Sequence, residues 1–189
     1  MNDVIQLLKR RRSLAPPNMS GPGPTEAEIE TLLTIASRVP DHGKLAPWRF
    51  ILFEGAARDR AGAIALALKL ADNPQLDAAA QAIEAKRFSH APLVVAVVSR
   101  AAPHPKIPEW EQQLSVGAAC MNLVVAAQAL GYVAGWLTEW CAYDPRFRKA
   151  IGLAESEKIA GFIHIGRPKF VAEDRPRPAL AEIVTIFPS

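Results

Sequence analysis

Apolar positions recur along the chain at spacings that separate helices from strands. Val4, Ile5, Leu7 and Leu8 share one face of a short opening helix. The basic run Lys9, Arg10, Arg11, Arg12 closes it, where cations suit the negative end of the helix dipole. Residues 15–24, APPNMSGPGP, are dense in proline and glycine and read as a loop. Thr25 and Glu28 form a capping box. Ile29, Leu32, Leu33 and Ile35 then continue as a helix that stops before Pro40. Residues 48–53, WRFILF, read as a strand. Helical stretches over 56–70 and 74–88 follow; the second is polar and Ala-rich, and reads as a mobile segment or as cover for a site. Residues 91–99, APLVVAVVS, are apolar and β-branched, the pattern of a strand buried in a sheet.

The longest helix is predicted over 110–130. Its start is polar (Glu111, Gln112, Gln113), and it then turns apolar nearly all round through Val116, Ala118, Ala119, Met121, Leu123, Val124 and Val125. Such a helix is buried, either in a core or against a second subunit. Gly131 ends it. A short strand over 133–137 comes next, then a helix capped by Asp144 with Pro145 in its first turn, then a strand over 158–165. The tail from 167 carries Pro168, Pro176, Pro178 and Pro188, ends in the strand-like VTIF, and reads as an extended C-terminal arm. Several helices precede the first strand, and neither a repeat nor a linker interrupts the chain. The expected fold is one α+β domain over 1–189, a mixed β-sheet flanked by helices.

Composition adds mainly exclusions. At 189 residues and 50% hydrophobic, the chain is long and apolar enough to fill one core. A net charge of +3 is too small and too dispersed to indicate nucleic acid. No stretch reaches the roughly 18 apolar residues of a membrane span. The N-terminal charges follow the apolar stretch, the reverse of a secretory signal, so a cytoplasmic protein is expected. Cys120 and Cys141 form no CxxC and have no histidine at ligand spacing, so neither a disulfide framework nor a zinc site is expected. There is no G-x-G-x-x-G after a strand, no P-loop, no G-x-S-x-G and no H-E-x-x-H. Hydrolase, metalloenzyme and Rossmann readings lose their support. A bound cofactor that brings its own redox chemistry needs none of these motifs.

Four segments hold candidate chemistry. Arg10, Arg11, Arg12 and Ser13 stand where a helix gives way to a loop, and read either as a solvated basic helix end or as a phosphate cradle. RVPDHGKLAPW, from Arg38 to Trp48, packs Arg, Asp, His, Lys and Trp into one loop; Asp41 either orients His42 or caps the turn. Trp136, Leu137 and Thr138 close the short strand, either as core or with backbone N–H groups turned to a cofactor edge. Glu109 and Glu111 begin the long helix, where a charged first turn explains both carboxylates.

The order LLxxRRS, RxPDHxxxxPW, PxWEQxxSxGxxxxN, GxxxGW, KIxGFxxxGxP resembles the short, YdjA-like branch of the nitroreductase family, from Leu7 to Pro168. That resemblance implies an intertwined α+β homodimer with flavin mononucleotide (FMN) at the interface and NAD(P)H as electron donor. It implies that Arg11, Arg12 and Ser13 contact the FMN phosphate and ribityl chain, and that Arg38 and His42 reach the flavin from the other subunit. Trp136, Leu137 and Thr138 would lie along the isoalloxazine ring. Arg167, Arg175 and Arg177 remain open as the residue completing the phosphate site. The implied activity is ping-pong reduction of nitro compounds, quinones or related small electrophiles. The alternatives are a specialised flavin reductase or dehydrogenase with a non-nitro substrate, and an FMN-binding protein without turnover.

Overall fold

The computed structural model describes residues 3–187. Within them the helices are α1 (Asp3–Arg10), α2 (Glu26–Ala36), α3 (Ala56–Asp72), α4 (Ala78–Lys86), α5 (Glu109–Ala129), α6 (Pro145–Ala150) and α7 (Leu180–Ile183). The strands are β1 (Met19–Ser20), β2 (Trp48–Glu54), β3 (Leu93–Ser99), β4 (Val133–Leu137) and β5 (Lys158–Pro168). β5 is the hub of the sheet. It pairs with β3 on one side and β4 on the other, and its C-terminal end pairs with β1, while β2 extends the sheet beyond β3. Every ladder is antiparallel; a single parallel bridge joins Ser13 to Ala134. The α+β class expected from the sequence is the one found.

The two faces of β3 explain the layers. Leu93, Val95 and Val97 point to a core shared with α2 and α5; Val94, Ala96 and Val98 point to a second core under α3 and α6. A strand buried on both faces is the reason its sequence shows no alternation. Phe88 centres the second core, stacked on Phe147 at 5.4 Å and edge-on to Phe162 at 5.1 Å.

Local signals act as read. Thr25 Oγ1 accepts from Glu28 N while Thr25 N donates to the Glu28 carboxylate at 2.8 Å. Asp144 accepts from the backbone N–H groups of Arg146 and Phe147 at the start of α6. Two predictions miss. The 15–24 loop holds a 3-10 turn at Pro16–Asn18 and the two residues of β1, which exist because Met19 and Ser20 pair with Pro168 and Arg167. The tail forms the short α7 ahead of VTIF, and VTIF itself, at 184–187, is no strand, since no neighbouring strand pairs with those residues.

Much apolar surface stays uncovered. Val4, Ile5 and Leu8 of α1 are exposed, as are Trp110 (66%), Leu114 (54%) and Met121 (38%) along one side of α5. Phe170, Val171, Leu180, Ile183, Val184, Ile186 and Phe187 of the tail join them. Among the described residues, no helix is long and apolar enough to cross a membrane.

Candidate functional site

Residues 13–14 lie against the edge of β4. Leu14 N donates to Ala134 O at 3.3 Å beside the Ser13–Ala134 bridge. Gly135 permits this approach, since a Cβ there would stand 2.6 Å from Leu14 O. Gln128 Nε2, on the last turn of α5, donates to Arg12 O. The fold therefore brings the Arg11–Arg12–Ser13 segment alongside the strand that ends in Trp136 and Leu137 and leads into Thr138.

The tail returns to the same place. Arg12 Nε donates to Glu173 O at 2.7 Å, and Asp174 lies 4.0 Å from that nitrogen and 3.9 Å from Arg177 Nη2. A cavity of about 440 Å³ opens between Arg12, Ser13, Leu14 and Ala15 on one side and Phe170, Val171, Ala172 and Glu173 on the other. The Arg11 guanidinium is held below its ordinary pKa, first by burial, then by the positive charges of Arg177, Arg12 and Arg175. Three further positive charges thus bear on Arg11, and an anion with several acceptor oxygens relieves that repulsion. Arg167, by contrast, is committed elsewhere: its Nη1 donates to Gly131 O at 2.9 Å and its guanidinium lies 3.9 Å from the centre of the Tyr132 ring.

Trp136 lies across β5. Its Nε1 donates to Ala160 O at 3.0 Å, and a Cβ on Gly161 would collide with its ring. After Thr138 the chain turns through Glu139 at φ 54, where an ion pair with Arg87 holds it; Arg87 also forks onto Glu84.

Arg38 and His42 stand elsewhere. Segment 35–42 is fastened to α5 by a polar stripe at positions 111, 115 and 122. Glu111 Oε2 lies 2.8 Å from His42 Nδ1, Ser115 Oγ donates to Pro40 O at 2.7 Å, and Asn122 Nδ2 donates to Ile35 O and Arg38 O at 3.1 Å. Trp48 Nε1 donates to Ser115 Oγ. Asp41 caps the turn, its two oxygens accepting from Leu45 N and Ala46 N; it does not orient His42. His42 and Glu111 border a cavity of about 330 Å³ with Pro40, Leu114, Ser115 and Ala118. Glu111 and Gln128 are separated along α5 by about 26 Å at 1.5 Å per residue. The chain thus carries the arginine cluster and His42 at opposite ends of a helix, farther apart than one mononucleotide reaches.

Sequence reasoning missed Glu111 as the partner of His42, and Gln128, Ser115 and Asn122 as fasteners. The spacing of Glu111, Ser115 and Asn122 on one helical stripe was the available signal. The cysteines add no chemistry here: burial pushes both thiols up to about 12. Among the described residues, no group of three or more His, Cys, Asp or Glu side chains is placed to hold a metal ion.

Comparison with known proteins follows the same outline. Residues 9–167 match the model of the nitroreductase family. A protein of Escherichia coli (strain K12) that carries the name NAD(P)H nitroreductase YdjA is 34% identical over 173 residues, 90% of this chain and 91% of its own. The crystal structure of a nitroreductase-like family protein from Bacillus cereus superposes with a TM-score of 0.84 at 23% identity, covering 99% of this chain and 97% of that one. A Desulfovibrio desulfuricans nitroreductase in complex with FMN superposes at 0.76, also at 23% identity, covering 100% and 98%. On a family match that spans most of its length and a relative aligned over nine-tenths of it, the chain belongs to the nitroreductase family.

Proposed function

We propose that this chain is an FMN-dependent oxidoreductase, active as a homodimer, that takes electrons from NAD(P)H and passes them to nitro compounds, quinones or related small electrophiles. One observation carries the reading: beside the edge of β4 the tail is tied to Arg12 through Glu173 O, which brings the charges of Arg175 and Arg177 to bear on Arg11. That donor set suits a phosphate monoester of about −2 charge. Arg11 and Arg12, with Arg175 or Arg177, would hold the phosphate, and the Ser13 hydroxyl would bond the phosphate or ribityl chain. Trp136, Leu137 and Thr138 would border the ring. Bound FMN would supply the hydride chemistry; the chain's own residues would fix its position and keep water from it. The name of the E. coli relative and the FMN complex of the Desulfovibrio protein support the same cofactors.

Distance and exposure support the dimer. His42 would reach the flavin of a second copy, because its own arginine cluster lies at the far end of α5, and Arg38, four residues before it in the same segment, would reach that flavin with it. The apolar stripe of Trp110, Leu114 and Met121 supplies a face for that copy, and the exposed tail an arm to cross onto it.

The test is an absorbance spectrum of the purified protein, repeated without oxygen after NADPH and then NADH. Flavin bands that bleach with either nicotinamide are the expected result. Bands that persist with both would assign FMN binding without turnover. Their absence after added FMN would overturn the proposal.

A further inference from the structure

The contact between His42 and Glu111 is exposed on both sides, 64% and 46%, so as a surface ion pair it adds little to stability. Its surroundings are nevertheless fixed. The stripe of Glu111, Ser115 and Asn122 fastens segment 35–42 at three points, and both carboxylate oxygens of Asp41 hold the turn that follows. Lys44 and Ala46 sit at φ 56 and 44, a left-handed region that non-glycine residues enter only when neighbours hold them there. The imidazole therefore stands on a rigid support beside an open cavity whose wall includes Leu114 and Ala118. A contact worth little to the fold, built on a support this firm, suits the reception of a ligand.

The hydrogen bond decides what the imidazole offers. A carboxylate only accepts, so the proton of neutral His42 resides on Nδ1. Nε2 is left as an acceptor. An acceptor at the rim of an apolar slot fits a planar ring N–H, as in a cyclic imide. The pyrimidine edge of a flavin carries one such group.

We propose that Glu111 is a positioning residue that locks His42 in its Nδ1–H form, so that Nε2 accepts from the imide N–H of a flavin held by a second copy of the chain. This rests on the FMN reading above and goes beyond it: it assigns Glu111 a role, and it assigns the polarity of one hydrogen bond.

The tautomer is read by ring-¹⁵N histidine spectra of the FMN-free protein, at a pH above the ordinary imidazole range. The signal is assigned by its loss in His42→Ala. Wild type is expected to show the Nδ1–H pattern. Glu111→Ala should move His42 toward the Nε2–H form, whereas Glu111→Gln, whose amide oxygen still accepts, should retain the wild-type pattern. FMN and 3-methyl-FMN are then titrated by flavin fluorescence. Wild type should prefer FMN by about tenfold, the worth of one hydrogen bond. Glu111→Ala should lose most of that preference, and Glu111→Gln should keep it. Thermal midpoints close to wild type are expected for both Glu111 variants.

An unchanged tautomer in Glu111→Ala overturns the proposal. So does an undiminished preference for FMN, which would mark a steric penalty on the methyl group; either result leaves the FMN reading standing. Failure of wild type to bind FMN overturns both.

Discussion

Arg12 gives the anion reading its simplest test at the scale of the residue. Its side chain is mostly covered and reaches the tail at Glu173 and Asp174, whereas Arg60 is exposed on α3, on the far side of the sheet. Arg12→Ala is expected to weaken FMN binding by about tenfold or more, the loss of a charge-assisted bond, with Arg60→Ala unchanged. Equal affinities would remove Arg12 from the site. His164 makes a different prediction. It is buried beside Phe88, and no partner meets its Nδ1. Burial first, then the charges of His90 and Arg87, push the imidazole down to about 4 from 6.5. The unfolded chain therefore takes up a proton that the folded chain refuses. Stability is whole above the ordinary imidazole pKa and is lost as pH falls from there toward about 4, by ~3 kcal/mol in all. Urea titrations across that window should show a steeper loss in wild type than in His164→Leu; parallel losses would contradict it.

Among the elements, those with a strong local pattern were legible and those made by distant pairing were not. α2 announces itself through Thr25, Glu28 and its apolar spacing, and β4 is found at the predicted residues because Val133–Leu137 is bounded by Gly131 before and a turn after. β1 is two residues long and owes its existence to Pro168 and Arg167, about 150 positions away, which no local pattern records. The candidate site divides the same way. Its arginines and its loop are visible as motifs. The bond between His42 and Glu111 spans 69 positions, and the approach of Arg175 and Arg177 to Arg11, which sets Arg167 aside, depends on the path of the tail. The pairing of β4 with β5 also supports a test. Gly161 leaves room for the Trp136 ring to lie across β5, so Gly161→Ala should destabilise the protein by about 1–3 kcal/mol and shift its tryptophan emission. A variant as stable as wild type, with unshifted emission, would contradict this packing.

For the whole molecule, the uncovered apolar faces are the decisive feature. α5 spends one side on the sheet and leaves Trp110, Leu114 and Met121 in water. Light scattering is expected to report twice 20.5 kDa for wild type. Met121→Asp should place a charge in that face, shift the mass to the monomer at micromolar concentration, and take FMN binding with it. A monomeric wild type that still binds FMN would refute the shared site.

The length of α5 has a genetic counterpart. With Arg12 and His42 at its opposite ends, each proposed site takes its phosphate-binding arginines from one chain and its histidine from the other. A chain bearing Arg12→Ala and a chain bearing His42→Ala would each be defective alone. Co-expressed, they would form mixed dimers in which one site inherits both lesions and the other inherits neither. Two defective alleles would then complement each other, and the restored activity would follow the proportion of mixed dimers.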